Sequence, residues 1–225
     1  METNLIPLLP AAEVALTALI VLLLDLFLRE REKGILPWIT ILGLGIAGGM
    51  TFFLWDDRQS AFQNSLVLDN FGLFFTNLLL GAAIITVLLS VHYLEETNIR
   101  RGEYHALILF STLGMILMVT ANDLLLFFLG LETLSVALYV LTGMWRERNL
   151  ATEAAMKYFI NGSFASGFLL YGIALIFGAT GSTNLARITA SLAQSTAQGQ
   201  GLLSVGVILL LVGLSFKVAA VPFHF

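Results

Sequence analysis

The sequence is divided by apolar runs long enough to cross a bilayer. Seven are seen, at about 7–28, 35–55, 71–94, 104–121, 124–144, 151–179 and 202–225. A membrane helix needs roughly 20 apolar residues, so each run is a candidate span. In hydrocarbon every backbone N–H and C=O must be paired within its own segment, or the sheet must close on itself. The runs lack the period-two alternation of a barrel strand, so the expectation is an all-α, polytopic membrane bundle. Composition agrees. Of 225 residues, 58% are hydrophobic and 12% charged, which no soluble domain of this length matches.

Several functions are excluded early. There are no cysteines, so disulfides, thiolate metal sites and thiolate-held iron–sulfur clusters are ruled out. His92, His105 and His224 are scattered and share no metal-ligand spacing. A net charge of −4 argues against nucleic acid as a partner. No Gly-rich phosphate loop precedes a helix, and no redox cofactor is expected in the chain. The N-terminal run is too long for a signal peptide and its arginines follow it, so it should remain as the first span.

Loop charges set the orientation. Arg29, Arg31, Lys33, Arg100, Arg101, Arg146 and Arg148 fall on one side, and only Arg58 and Arg187 on the other. Seven basic residues against two places the first group in the cytoplasm and the N-terminus outside. Asp69 or Asn70 is expected to cap span three, and Asn122 or Asp123 to cap span five. Glu13 is read as facing the positive end of its own helix. Asp25 is read as pairing with Arg29 four residues on. His92 and His105 are read as interfacial. The segment Thr180 to Gly201 reads as an outer loop with a short helix around Asn184 to Gln194, and no internal repeat is evident.

The chemistry lies in three consecutive spans. Span seven, LLSVGVILLLVGLSFKVAAVPFHF, holds Lys217 near its middle. A lysine at that depth costs about 2.5–3.5 kcal/mol on insertion scales, so it marks a functional site by default. Pro222 lacks an N–H and cannot bond the Val218 carbonyl, which predicts a broken helix beside the amine. The competing structural reading is a proline kink with an outward-snorkelling lysine. In span five, Glu132 shares a face with Ser135, Tyr139 and Thr142. Such a polar stripe should face other helices rather than lipid. In span six, Glu153, Lys157 and Asn161 follow at four-residue spacing, and Lys157 either faces inward or pairs with Glu153 near the surface. Gly162, Ser163, Ala165, Ser166 and Gly167 offer small residues for close helix packing. One carboxylate and two amines allow alternative pairings. At about 4 Å and an effective dielectric of ~20, one pair is worth about 4 kcal/mol of gross attraction, enough to load and release a proton.

The stretches LETLSVALYVLTG around Glu132, EAAMKYF around Lys157, LLYGIALIFGATGS after Phe168 and FKVAAVPFHF around Lys217 resemble the antiporter-like membrane subunits of respiratory complex I, NADH–quinone oxidoreductase. Phe-Lys ahead of Val-Pro-Phe-His resembles the subunit N (subunit 2) branch more than its paralogues. The resemblance implies a 14-helix fold with two inverted repeats, each holding a broken helix. It makes residues 1–103 a three-helix N-terminal segment. Residues 104–225 would be helices four to seven, most of the first repeat. The remainder of the subunit would lie beyond Phe225. The resemblance further implies that Glu132 and Lys217 form the paired proton site, with Lys157 modulating it. Pro222 and His224 would belong to the broken helix, and Ser135 and Tyr139 to the pathway. Asn161 departs from the apolar residue usual there. The implied role is a translocase subunit with no redox centre of its own. NADH, FMN, iron–sulfur clusters and quinone would be held by other subunits. Its partners would be other membrane-arm subunits, lipid and protons, in a bacterial inner membrane. Two other readings stand beside it: a component of a multisubunit sodium/proton antiporter, or a structural subunit whose buried charges only fix helix pairing.

Overall fold

A computed structural model describes residues 5–29, 31–96, 102–192 and 197–221. Among the described residues, seven helices are long and apolar enough to span a membrane. They are α1 (Leu9–Phe27), α2 (Leu36–Phe53), α3 (Asn70–Glu96), α4 (Glu103–Thr120), α5 (Leu124–Thr142), α6 (Asn149–Thr180) and α8 (Ala197–Lys217). The short α7 (Leu185–Leu192) lies in the segment where a short helix was expected. A two-stranded hairpin, β1 (Gln59–Ala61) and β2 (Leu66–Leu68), joins α2 to α3 and was not anticipated.

The bundle has two packed groups. Val14, Ala18 and Val21 of α1 meet Leu44 and Ala47 of α2, Leu80 of α3, and Ala106, Leu109 and Ile116 of α4. The second group gathers Leu131 of α5, Leu169 and Ile173 of α6, and Leu210 and Leu214 of α8. α4 packs against α1, α3 and α5, so it belongs to both groups. Glycines set the closest approaches, as membrane helices without a solvent-driven force require. A Cβ at Gly114 would lie 2.5 Å from the Gly130 carbonyl across α4 and α5. A Cβ at Gly172 would lie 2.7 Å from the Gly206 carbonyl across α6 and α8.

One end of the bundle is tied by polar bonds between loops. The Asn64 carbonyl accepts from Asn122 Nδ2 at 2.9 Å and from Asn184 Nδ2 at 3.0 Å. Phe62, Gln63 and Asn64 all have positive φ, which turns that carbonyl toward the two amides. Such backbone costs about 1–2 kcal/mol per non-glycine residue, and the bonds offset it. Asp123 caps α5 by accepting from the Leu125 N–H at 2.9 Å, and also takes the Thr183 hydroxyl at 2.7 Å. Asp69 accepts from the Gly72 N–H at 2.8 Å at the start of α3, while Asn70 bonds Asp56 instead.

Three expectations are corrected. Asp25 pairs with Lys33 at 3.0 Å rather than with Arg29, because α1 ends at Phe27 and Arg29 has left its helical face. The Gly102 N–H adds a bond to the same carboxylate oxygen at 3.2 Å. His105, in the first turn of α4, is buried, 4% exposed. His92 is exposed and pairs with Glu96 at 3.1 Å. Thr142 leaves the inward stripe: it is exposed, and its hydroxyl donates to the Leu138 carbonyl at 2.8 Å. Finally, Lys217 is not mid-helix. It is the last residue of α8. The chain turns there because Ala219 adopts φ 51°, with the Ala220 N–H bonding the Ser215 carbonyl at 2.9 Å and the Ala219 N–H bonding Phe216 at 3.0 Å. This six-to-one and five-to-two pattern is a Schellman stop, here with alanine in the usual glycine place.

Candidate functional site: an acid–amine pair between helices

α5 builds one side of the site. Its 3.6-residue period puts Glu132, Ser135 and Tyr139 on one face, at i, i+3 and i+7. Ser135 and Tyr139 are buried, 4% and 5% exposed. Lys217 comes from the end of α8, which packs along α6, and its side chain crosses to the α5 stripe. Its ammonium has three protons and meets three acceptors. Nζ lies 2.7 Å from Ser135 Oγ, 3.1 Å from Tyr139 Oη and 3.5 Å from Glu132 Oε1. It also stands over the Tyr139 ring, 5.6 Å from the centroid. The two side chains of the ion pair are 11% and 27% exposed. At that separation the gross attraction is about 5 kcal/mol for an effective dielectric of ~20, much of it offset by desolvation.

Ser135 is committed to its role. Its own proton goes to the Leu131 carbonyl at 2.6 Å, which leaves an oxygen lone pair for the ammonium. Tyr139 is fixed by α6. Tyr158 packs edge-on against its ring at 4.6 Å between centroids, and Phe159 at 5.8 Å. Its hydroxyl occupies the place a Cβ would take at Gly162. Ser166, one turn further along α6, donates to Glu132 Oε1.

Lys157 is not brought to this cluster. It pairs with Glu153 on the same exposed helix face, with side chains 70% and 58% exposed. Pro222 and His224 lie outside the described residues. Sequence reasoning placed Gly162 and Ser166 among the packing residues and missed their contacts with the site. The available signal was a buried-type hydroxyl within a run of small residues, on the span next to a lone carboxylate. Among the described residues no group of three or more metal-ligating side chains gathers.

Comparison with known proteins decides the family. NADH-quinone oxidoreductase subunit N from Trichlorobacter lovleyi is 42% identical over 98% of this chain. The chain is a homologue of NADH-quinone oxidoreductase subunit N. It spans 45% of that relative's length, a little under half. The family described as NADH:quinone oxidoreductase/Mrp antiporter, TM, matches residues 121–225, the part that carries Glu132 and Lys217. A chain in the structure of respiratory complex I from Thermus thermophilus with bound aureothin superposes with a TM-score of 0.77 at 35% identity. That match covers 96% of this chain and 45% of the other. A chain of the Mrp complex from Dietzia sp. shares the fold, at a TM-score of 0.69 and 24% identity. The antiporter-like membrane fold expected from the sequence is therefore established, and the chain is a multi-pass membrane protein similar over most of its length to part of subunit N.

Proposed function

We propose that this chain forms part of a proton-translocating membrane-arm subunit of NADH:quinone oxidoreductase, and that the Glu132–Lys217 pair carries the proton. The observation behind this reading is that Lys217 leaves its own helix to place a fully hydrogen-bonded ammonium against a carboxylate on another. With Glu132 close, the ammonium is stabilised. When the carboxylate is drawn away, the charge is left with the neutral oxygens of Ser135 and Tyr139 in a low-dielectric bundle, which disfavours the charged form. Lys217 then gives up one proton to an ordered chain of polar groups and water in the rest of the subunit. The neutral amine reloads from the other side when the pair closes.

In this reading the redox chemistry, with NADH, FMN, iron–sulfur clusters and quinone, belongs to other subunits, and this chain moves only protons. Residues 1–103 support the pathway and residues 104–225 hold it. Pro222 and His224 act further along it, and Lys157, paired with Glu153 on an exposed face of α6, modulates it only weakly. The setting is the bacterial inner membrane, with the N-terminus outside and other membrane-arm subunits and lipid as neighbours. The test is Lys217→Ala in the complete complex in liposomes, with a pH-sensitive dye. We expect assembly and lost or strongly reduced proton uptake per NADH oxidised. Full stoichiometry in that variant would exclude the role. Replacing Glu132 and Lys217 together by apolar residues separates this from a purely structural pairing, which would spare pumping and impair assembly.

A further inference from the structure

We infer that Ser166 is the positioning residue that sets the separation of Glu132 from Lys217; this rests on the proton-carrying reading above. Ser166 is buried, 7% exposed, and has one hydroxyl proton. Two acceptors compete for it. One is Glu132 Oε1, and the other is the Gly162 carbonyl at 3.0 Å, one turn back on α6. A hydroxyl donates to one of them at a time.

The choice depends on the charge of Glu132. An ionised carboxylate is the stronger acceptor, so the Ser166 proton points to it. That bond holds Oε1 toward α6 while the Lys217 ammonium rests on α5, nearer to Ser135 and Tyr139 than to the carboxylate. A protonated Glu132 becomes a donor. Ser166 then turns its proton back to the Gly162 carbonyl and accepts from the acid. One side chain thus holds Glu132 on α6 in both states, while the bond direction reverses. The hydroxyl rotates, no covalent bond changes, and the proton count of Ser166 stays at one. The same turn of α6 also fixes the other end of the clamp, because Tyr139 rests on Gly162.

A packing role for Ser166 and a role through Glu132 are separable by a double-mutant cycle. The variants Ser166→Ala, Glu132→Gln and the double variant are made in the full subunit within the assembled complex. Assembly is measured on native gels, and proton uptake per NADH oxidised in liposomes. We expect Ser166→Ala to assemble normally and to lower pumping about three- to tenfold, the net worth of one hydrogen bond. The near-isosteric Ser166→Cys, a weaker donor, falls between. In the Glu132→Gln background Ser166→Ala adds nothing. Equal losses in both backgrounds would overturn the proposal, as would an unchanged Ser166→Ala with an impaired Glu132→Gln. An unchanged Glu132→Gln would instead overturn the proton-carrying reading itself.

Discussion

The first turns of α6 and the last turn of α8 each carry a lysine on an apolar membrane helix, and the two lysines end in opposite environments. Lys217 is 11% exposed at its side chain and spans to another helix. Lys157 is 70% exposed and pairs with Glu153 on its own helix. What separates them is the surface opposite. Lys217 faces a stripe of three acceptors on α5, and Lys157 has a carboxylate one turn away that satisfies it locally. A buried lysine therefore becomes a candidate proton carrier only when a neighbouring helix supplies acceptors that its own helix cannot.

The sharpest way to break this contrast is to remove each acid. Glu132→Ala leaves the ammonium on neutral oxygens only, and we expect proton uptake per NADH to fall by about tenfold or more. Glu153→Ala in the same assay should leave pumping unchanged, because exposed helix pairs contribute little. A second test acts through α6. Gly162→Ala drives a methyl into the Tyr139 hydroxyl, so the assembled complex should melt earlier, by the equivalent of about 1–3 kcal/mol of overpacking, with pumping reduced alongside. Ser135→Ala is milder: it removes one of three bonds to the ammonium, a net loss of about 0.5–1.5 kcal/mol, and should lower pumping several-fold while assembly holds. Lys157→Ala should show the smallest effect, less than about twofold in turnover, read by NADH oxidation in the same vesicles.

Much of the fold was legible because the bilayer imposes it. Seven apolar runs became seven spanning helices, with ends within a few residues at all but the last. A break beside Lys217 was legible from the sequence, but its form was not, because it depends on Ala219 accepting a left-handed backbone that sequence normally reserves for glycine. The hairpin was also missed. Its strands have three residues each, and its turn is held by Asn122 and Asn184, far away in sequence. In the site, the helical period revealed the α5 stripe through Tyr139, since it is a local property. The same period included Thr142, which the bundle leaves outside. Ser166 and Gly162 were hidden because small residues in a membrane helix serve both close packing and polar contact, and only the partner helix distinguishes them.

The central claim is that an acid and an amine change their separation as a proton passes. Cryo-electron microscopy of the assembled complex, at rest and during NADH-driven turnover, tests this through the Lys217 Nζ to Glu132 Oε distance. The account predicts two populations under turnover, one near the present 3.5 Å and one with the pair clearly parted and the carboxylate still bonded to Ser166. A single population with the same distance in both conditions would contradict it.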